Sequence, residues 1–326
     1  MAVIVINGMA TSYDLPQYVG ELFRVRRRPN TVLRLIGGLT GGLRTVNNTV
    51  FALGVDYEVP SGSQPAILEG ADPLPSEIGT GQTTQVVQIF QYAVEMTYTA
   101  EATSSIAGLA VIPGSTTAGG GLVNPRSLAW QIDRKMEQMQ NDANYTFLRG
   151  VYQLPGTNAT ARKTRGIRTA IVTHVFGNAG TPRALTTTIF EAALLTMSQG
   201  PMPFGTNDEL YVMGDALQIS RLSKLYANQT TAPQDRNAAG IVPLRIYTLF
   251  GIVNLVIEPD MAAGELMIWQ PQYCRVVALP IPNKGIIFSE PLAKTGSAEK
   301  YQVYGELSID YKNESLHGVI TDLLTT

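Results

Sequence analysis

The sequence predicts an α+β fold whose C-terminal half is rich in strands. Apolar and polar residues alternate over ten positions within 86–100, which is the period of a strand with one covered face. Apolar residues recur at three- and four-residue spacing over 125–149, which is the period of a long helix. From 151 onward, short strand-like and helix-like segments alternate, and strands dominate after 241.

Charge is scarce throughout the chain. Of its 326 residues 15% are charged, against roughly 25% in an average soluble protein, and 24 Lys+Arg against 26 Asp+Glu leave a net charge of −2. A hydrophobic share of 44% argues against disorder, and the near-neutral balance argues against a strongly basic nucleic-acid binder. Two interpretations stay open: a β-rich protein with a polar, uncharged surface, or a chain whose surface is mostly covered by neighbours.

Cysteine content and hydropathy indicate the compartment. The single cysteine, Cys274, excludes an intramolecular disulfide and fits a reducing compartment. The apolar run at 3–6 has no basic region ahead of it, so a secretory signal is not expected. No uncharged apolar run reaches the ~18 residues of a membrane-spanning helix. We therefore expect a soluble, cytoplasmic protein without a membrane partner.

Residues 1–43 are predicted to form an extended, weakly structured arm. Two glycine pairs near its end disfavour regular secondary structure. The arm carries what is predicted to be the only basic patch, formed by Arg24, Arg26, Arg27 and Arg28. A solvated or partner-paired face is favoured over nucleic-acid contact for this patch, because aromatic residues are not interleaved with the arginines.

Residues 44–59 and 86–100 are predicted to be the two strands of a long hairpin. Its irregular tip at 60–85 contains several prolines and the acids Glu69, Asp72 and Glu77. The second strand presents an apolar face formed by Phe90, Tyr92, Val94, Met96 and Tyr98. Because an isolated hairpin is at best marginally stable in water, this face must lie on the body of the chain or on a neighbouring molecule.

A long helix is predicted over 125–149. Asn124 suits the N-cap, Pro125 suits the first helical position, and Gly150 stands where the helix ends. About 25 residues span roughly 37 Å. Further helices are predicted at 187–199 and 215–227. Strands are predicted at 166–176, 210–213, 241–247, 251–258, 265–269, 274–279, 285–288, 301–312 and 316–323.

The residue patterns do not indicate an enzyme. His174 and His317 are far apart in the sequence, and a Gly-x-Ser-x-Gly motif is absent. Cys274 lies in an apolar segment and is expected to be a small core residue. The glycine-rich stretches lack the Gly-Lys-Ser/Thr of a phosphate-binding loop. We expect no catalytic residue, no cofactor and no metal site; an α+β enzyme of another kind stays open as an alternative.

The order of elements resembles that of the major capsid protein of tailed phages. Its fold is the Johnson, or HK-97-like, fold, and within it the sequence is most similar to the SU-10-like branch. Four sequence segments in the right order carry the resemblance. Gln88–Thr97 resembles the return strand of the hairpin, and Ile132–Asp142 followed by Phe147–Gly150 resembles the spine helix with its exit. Arg162–Ile167 resembles the entry into the sheet, and Leu316–Ile320 resembles the closing strand.

The resemblance implies four structural parts. They are an N-terminal arm (1–43), an E-loop hairpin (44–100), a peripheral domain that contains the spine helix (101–183 and 296–326), and an axial domain (184–295). In this fold the axial domains meet around the centres of hexamers and pentamers, and the E-loop lies across a neighbouring subunit. We therefore expect the apolar face of the hairpin to anchor on that neighbour, and its acidic tip to meet basic groups there, with Arg24–Arg28 as the candidates.

The implied function is that of a structural subunit of an icosahedral phage capsid, assembled in the host cytoplasm around double-stranded DNA. The implied partners are further copies of the chain, a portal protein and, as an optional component, a decoration protein. About 40 residues precede the hairpin, which is too few for the N-terminal scaffolding domain of some relatives, so a separate scaffolding protein is expected. An encapsulin-like cargo shell has the same fold and stays open as an alternative.

Overall fold

The computed structural model describes residues 29–39, 42–56, 68–70, 72, 80–99, 128–157, 159–200, 209–226, 230–231 and 244–325. Their helices and strands are, in chain order, α1 (Thr31–Leu35), β1 (Arg44–Thr45), β2 (Val50–Asp56), β3 (Thr80–Val86), β4 (Gln88–Thr97), α2 (Leu128–Arg149), α3 (Ile167–Ala170), β5 (Val175–Phe176), α4 (Thr187–Ser198), β6 (Glu209–Gly214), α5 (Ala216–Leu225), β7 (Thr230–Thr231), β8 (Leu244–Thr248), β9 (Gly251–Ile257), β10 (Leu266–Trp269), β11 (Arg275–Ala278), β12 (Ile287–Pro291), β13 (Ala298–Asp310) and β14 (Gly318–Ile320).

The long strand β13 organises a five-stranded sheet. One edge of β13 pairs with the whole of β4, from Ala298 opposite Thr97 to Leu307 opposite Gln88. Its other edge pairs with β12 and then with β11, and β1 adds a short parallel pair to β11. Because β13 has partners on both edges, its backbone hydrogen-bonding groups are satisfied inside the sheet.

The strand predicted at 86–100 is confirmed, but its predicted partner is wrong. β4 pairs with β13, whereas β2 pairs with β3 in a separate two-stranded hairpin. Alternation identifies the covered face of a strand but not its neighbour, which depends on hydrogen bonds to distant residues. Most of β3 lies in the range predicted as an irregular tip, so the described part of the hairpin consists of 50–56 and 80–86.

Helix α2 packs across β4 and β13. Its buried residues are Met139, Ala143, Asn144, Phe147 and Leu148. The apolar members of this set share one core with Phe90 of β4 and with Val303 and Leu307 of β13. At the rim of this contact the Tyr92 hydroxyl donates a hydrogen bond of 2.6 Å to a carboxylate oxygen of Asp142. The helix therefore fixes the face of the sheet on which it lies.

A seven-stranded sheet carries the second core. Its strand order is β5-β14-β10-β6-β9-β8-β7. Side chains of α4 and α5, among them Phe190, Leu194 and Leu222, join apolar residues of this sheet in one cluster. The Thr186 hydroxyl caps α4 by accepting a hydrogen bond from the Ile189 N–H. The two helices thereby cover one face of the sheet.

Strand β10 is buried on both faces and joins the two cores. Its four residues are all buried. Leu266 and Ile268 belong to the core with α4 and α5, whereas Met267 and Trp269 belong to the core with α2. Because successive side chains of a strand point to opposite faces, the seven-stranded sheet is a wall shared by both cores.

Three strands pair across the predicted domain ranges, and the ranges themselves stay a prediction. β11 and β12 fall in the range 184–295, but both pair with β13, which lies in the range 296–326. β14 falls in the range 296–326 but pairs with β10. The reason is that these strands pair with distant segments, and pairing between distant segments is not encoded in local periodicity.

Most other predicted elements are present in the described residues. The helices predicted at 187–199 and 215–227 correspond to α4 and α5, and the long helix corresponds to α2. Asn124 and Pro125 lie outside the described residues. The strand predicted at 166–176 is wrong, because the chain forms the short helix α3 before β5.

A close backbone approach explains the error at 166–176. The Gly166 N–H donates a 2.9 Å hydrogen bond to the Gly150 carbonyl. A Cβ atom on Gly166 would lie 2.5 Å from the Gly150 nitrogen. Only a glycine fits this approach, and the chain turns there against the end of α2 instead of extending.

Replacing Phe147 by alanine tests the packing of α2 on the sheet. Phe147 is fully buried, so Phe147→Ala should lower the free energy of unfolding by about 3–5 kcal/mol. The matched control is Gln140→Ala, on the exposed side of the same helix, with an expected change within about 0.5 kcal/mol. Urea unfolding followed by circular dichroism measures both. Equal losses in the two variants would contradict this packing.

Candidate subunit-contact surfaces

The base of the β2–β3 hairpin is tied to the body by a buried polar network. The Gln85 side chain donates to the Arg165 carbonyl at 2.8 Å and accepts from the Arg165 N–H at 3.0 Å. The Ser308 hydroxyl donates to the Val86 carbonyl at 2.9 Å and lies 2.6 Å from the Thr164 hydroxyl. Since buried polar groups are costly to leave unpaired, this network fixes the point at which the hairpin leaves the body.

A projecting loop stands beside the hairpin base. We call residues 150–165 the basic loop; a bridge between Gln153 and Lys163 closes it. The Arg165 guanidinium lies over the Tyr152 ring, 4.7 Å from its centre. The Tyr152 hydroxyl lies 3.3 Å from the Thr84 hydroxyl of β3. The loop and the hairpin base therefore support each other.

Two buried acids hold the segment that enters α1. The Thr31 N–H donates to a Glu258 carboxylate oxygen at 3.0 Å. The Leu33 N–H donates to the Asn144 side-chain carbonyl, and the Asn144 amide donates to Asp260, both at 3.2 Å. The Asp260 N–H donates back to Glu258 at 3.2 Å. This acid cluster joins α1, α2 and the loop after β9.

Burial raises the pKa of the Glu258 carboxyl above its usual 4.5. Desolvation is the largest cause, and the negative charge of Asp260 acts in the same direction. The hydrogen bonds from Asp260, Asn144 and Thr31 oppose the rise without cancelling it. The attachment of α1 is therefore sensitive to the protonation of one buried carboxyl.

The structure places the five predicted anchor residues in different settings. Phe90, Val94 and Met96 are buried in the chain itself. Tyr92 is partly buried and bonded to Asp142, whereas Tyr98 is 46% exposed. Because the first three side chains already pack against the chain's own body, contact with a neighbouring subunit stays a prediction for Tyr92 and Tyr98 only.

The structure does not bring the predicted charged partners together. Glu69 and Asp72 are exposed and make no ion pair with another residue of the described stretches. Glu77 lies outside the described residues, as do Arg24, Arg26, Arg27 and Arg28. Pairing between the acidic tip and these arginines therefore stays a prediction.

One apolar groove is missed by the sequence prediction. A cavity of about 530 Å³ opens between α4 and the turn that joins β8 to β9. Its lining is Thr188, Glu191, Ala192, Leu195, Tyr226, Tyr247, Thr248, Leu249 and Phe250. Leu249 and Tyr247 are strongly exposed there. The sequence feature that could have indicated this groove is the apolar pair Leu249-Phe250 at a turn between two strands, because polar residues and glycine are usual at turns.

The single cysteine and one histidine meet in the interior. Cys274 Sγ lies 3.8 Å from His317 Nε2. Burial raises the pKa of the thiol, so the thiol stays protonated. Burial also lowers the pKa of His317 to about 4, and its Nε2 lies 3.1 Å from the Tyr311 carbonyl oxygen. The pair is therefore neutral and structural, and Cys274 is the core residue that the sequence predicts.

Neither a metal site nor a membrane-spanning helix is found in the described stretches. Among the described residues, three or more His, Cys, Asp or Glu side chains are nowhere grouped so as to hold a metal ion. The helices in the same stretches are too short or too polar to cross a membrane.

A comparison with protein families decides what the chain is. The model of the SU10 major capsid protein family matches residues 5–324. The chain belongs to this family. The match includes both sheets, α2 and the hairpin, so the family and the fold rest on the same residues. Among curated proteins, none matches the sequence.

Solved structures have the same fold as this SU10-family chain. The capsid of cyanophage A-1(L) is 13% identical, with a TM-score of 0.65 over 98% of this chain and 99% of that one. The capsid of a native GTA particle is 14% identical, with a TM-score of 0.60 over 96% and 97%. The SrpI encapsulin of Synechococcus elongatus PCC 7942 is 8% identical, with a TM-score of 0.58 over 91% and 89%. The fold is the α+β HK-97-like capsid fold.

Membership of the SU10 major capsid protein family establishes the broad function. The chain is a structural subunit of a phage capsid and not an enzyme. Its place is the virion capsid, in which copies of the chain associate with one another. The resemblance carried by the hairpin strand, the spine helix and the closing strand is therefore confirmed.

The acid cluster gives a pH dependence with a definite sign. The raised pKa of Glu258 means that the folded chain binds this proton more tightly than the unfolded chain does. As the pH rises from 4.5 through the raised pKa, wild type should lose stability relative to Glu258→Gln, which does not titrate. Urea unfolding of both proteins from pH 4.5 to 8 measures the difference. A constant difference across this range would contradict the raised pKa.

Proposed function

We propose that this SU10-family subunit assembles as hexamers and pentamers into an icosahedral shell around double-stranded DNA. The support is the family match over residues 5–324 together with the HK-97-like fold. A net charge of −2 suits a wall that contains DNA without binding it tightly. Weak contacts repeated in a closed shell add up to a stable particle through multivalency.

The proposed roles of the parts follow the fold. Within 1–43, the residues ahead of α1 act as an arm, because α1 itself is packed in the first core. Within 44–100, the β2–β3 hairpin acts as the E-loop, because β4 belongs to the β13 sheet. The seven-stranded sheet with α4 and α5 forms most of the axial part, which meets its copies around the capsomer centre. The β13 sheet with α2 forms the peripheral part. The exposed groove near Leu249 supports an axial contact, because exposed apolar patches of this kind mark interaction sites.

The proposed E-loop contact uses the hairpin on a neighbouring subunit. Tyr92 and Tyr98, which lie in and just after β4, supply apolar surface for the same neighbour, and Glu69, Asp72 and Glu77 supply negative charge. The arginines of the arm, Arg24–Arg28, are one proposed set of partners. A hairpin that is anchored at its base and paired only with itself is suited to reach another molecule.

The proposed assembly takes place in the host cytoplasm with further partners. They are a separate scaffolding protein, a portal protein and an optional decoration protein. Expression of the chain as the only phage protein tests the need for a scaffold, with electron microscopy as the measurement. We expect capsomers or irregular particles, whereas uniform shells of one size would contradict a separate scaffold. Particles that hold protein cargo instead of DNA after infection would favour an encapsulin-like role.

Shortening the hairpin tests its role in assembly. Asp56 and Thr80 are opposite each other at the end of the β2–β3 ladder, so an Asn-Gly turn can replace residues 57–79 without disturbing the pairing. The shortened chain should keep its circular dichroism spectrum but lose particle formation in sedimentation and electron microscopy. The matched control replaces 57–79 by a Gly/Ser segment of equal length. Particles from the shortened chain that match those of wild type would contradict the E-loop role.

A further inference from the structure

We propose that the hairpin end of one copy docks on the basic loop of a second copy. The hairpin end is defined by Leu68, Glu69 and Asp72, in the connection between β2 and β3. The docking surface is defined by the basic loop with the end of α2, and its members are Tyr145, Arg149, Val151, Leu154 and Lys163. This inference rests on the proposed assembly function and names the partner site of the hairpin.

Charge is segregated along the chain between these two regions. From 45 to 125 the sequence contains no Lys or Arg and seven acids, which are Asp56, Glu58, Glu69, Asp72, Glu77, Glu95 and Glu101. From 143 to 190 it contains no Asp or Glu and six bases, which are Arg149, Arg162, Lys163, Arg165, Arg168 and Arg183. Such complementary patches steer association and fix its register. The second basic region is missed when only the arm arginines are counted.

Two of the six bases are left for an external partner. Arg162 pairs with Glu306 at 3.1 Å, and Arg168 pairs with Glu265 at 2.6 Å. Arg165 lies over the Tyr152 ring, and Arg183 donates to the Phe176 carbonyl. Arg149 and Lys163, in contrast, make no ion pair with a carboxylate of the described stretches, and Lys163 is exposed. Glu69 and Asp72 are likewise exposed. The charges that remain available on the two surfaces are of opposite sign.

Apolar surface accompanies the charge on both sides of the proposed contact. Leu68 is 85% exposed, next to Glu69. On the docking surface Val151 is 67% exposed, and Leu154 and Tyr145 are about half exposed. Tyr145 and Arg149 are four residues apart on α2 and therefore share one face of the helix. Burying these side chains against each other would remove exposed apolar area from both copies.

The hairpin end lies farther along the hairpin than the point at which the hairpin meets the basic loop of its own copy. Thr84, near the base, already contacts Tyr152 of that loop. From Thr84 the strand runs outward to Thr80, about 13 Å at the usual rise per residue, and the hairpin end lies beyond it in the chain. A contact between copies uses two different patches, so it is heterologous, which is the kind of contact that forms a ring of subunits where the rotation between copies closes.

Charge reversal with compensation tests the contact. The variants of the full chain are Glu69→Lys with Asp72→Lys, Arg149→Glu with Lys163→Glu, and all four together. Sedimentation velocity over a concentration series gives the concentration at which half of the chain is assembled. Each double variant should raise this concentration about tenfold or more, because the weak pairs repeat around each ring. The fourfold variant should return it to within about threefold of wild type, and added salt should weaken wild-type assembly.

The controls separate this contact from its alternatives. Arg275→Glu with Lys284→Glu makes the same charge change at two exposed sites elsewhere and should leave assembly unchanged. Loss of assembly only when Arg24, Arg26, Arg27 and Arg28 are changed to Gln, without rescue in the fourfold variant, would overturn the proposal. Normal assembly with lost DNA retention in the Arg149→Glu, Lys163→Glu variant would also overturn it. Wild type that stays monomeric would instead contradict the proposed assembly function.

Discussion

The two-sided pairing of β13 is the constraint on which the rest of the structure depends. β4 occupies one edge of this strand along its length, and β12 and β11 share the other. A strand held in this way is not free to slip, because a one-residue shift would turn every core side chain to the wrong face. Helix α2 then packs on the face that the register of β4 and β13 presents, so the first core follows from the ladder.

Peripheral segments are held to this frame by polar groups and not only by apolar contacts. Gln85, Thr164 and Ser308 bind the hairpin base, and Glu258 and Asn144 bind α1. Hydrogen bonds have directional requirements that apolar contacts lack, so they set the angle at which each segment leaves the body. In a capsid subunit this matters, because the orientation of an arm or hairpin decides which neighbour it meets.

Local patterns predict the elements of this chain well and their partners poorly. The alternation around Phe90 and Val94 identifies β4, and the spacing from Ile132 to Phe147 identifies α2, because both signals come from one buried face. Pairing of β4 with β13 depends on residues at the other end of the chain, which periodicity does not register. The acid cluster at Glu258 and the groove near Leu249 were missed for the same reason, since distant segments create both.

The scarcity of charge acquires a structural meaning from the position of β10. Leu266 and Ile268 face one core, and Met267 and Trp269 face the other, so the two cores share this strand as a wall. Because protein interiors are closely packed, a mechanical strain on one sheet is transmitted to the other. Such a body is suited to be a shell subunit whose lateral surfaces are covered by neighbouring subunits. Because the cores of protein interfaces are depleted in charged residues, a subunit of this kind is expected to carry little charge. Charge that remains exposed then serves to select the correct contact, which is why its segregation into an acidic hairpin and a basic loop is informative although its amount is small.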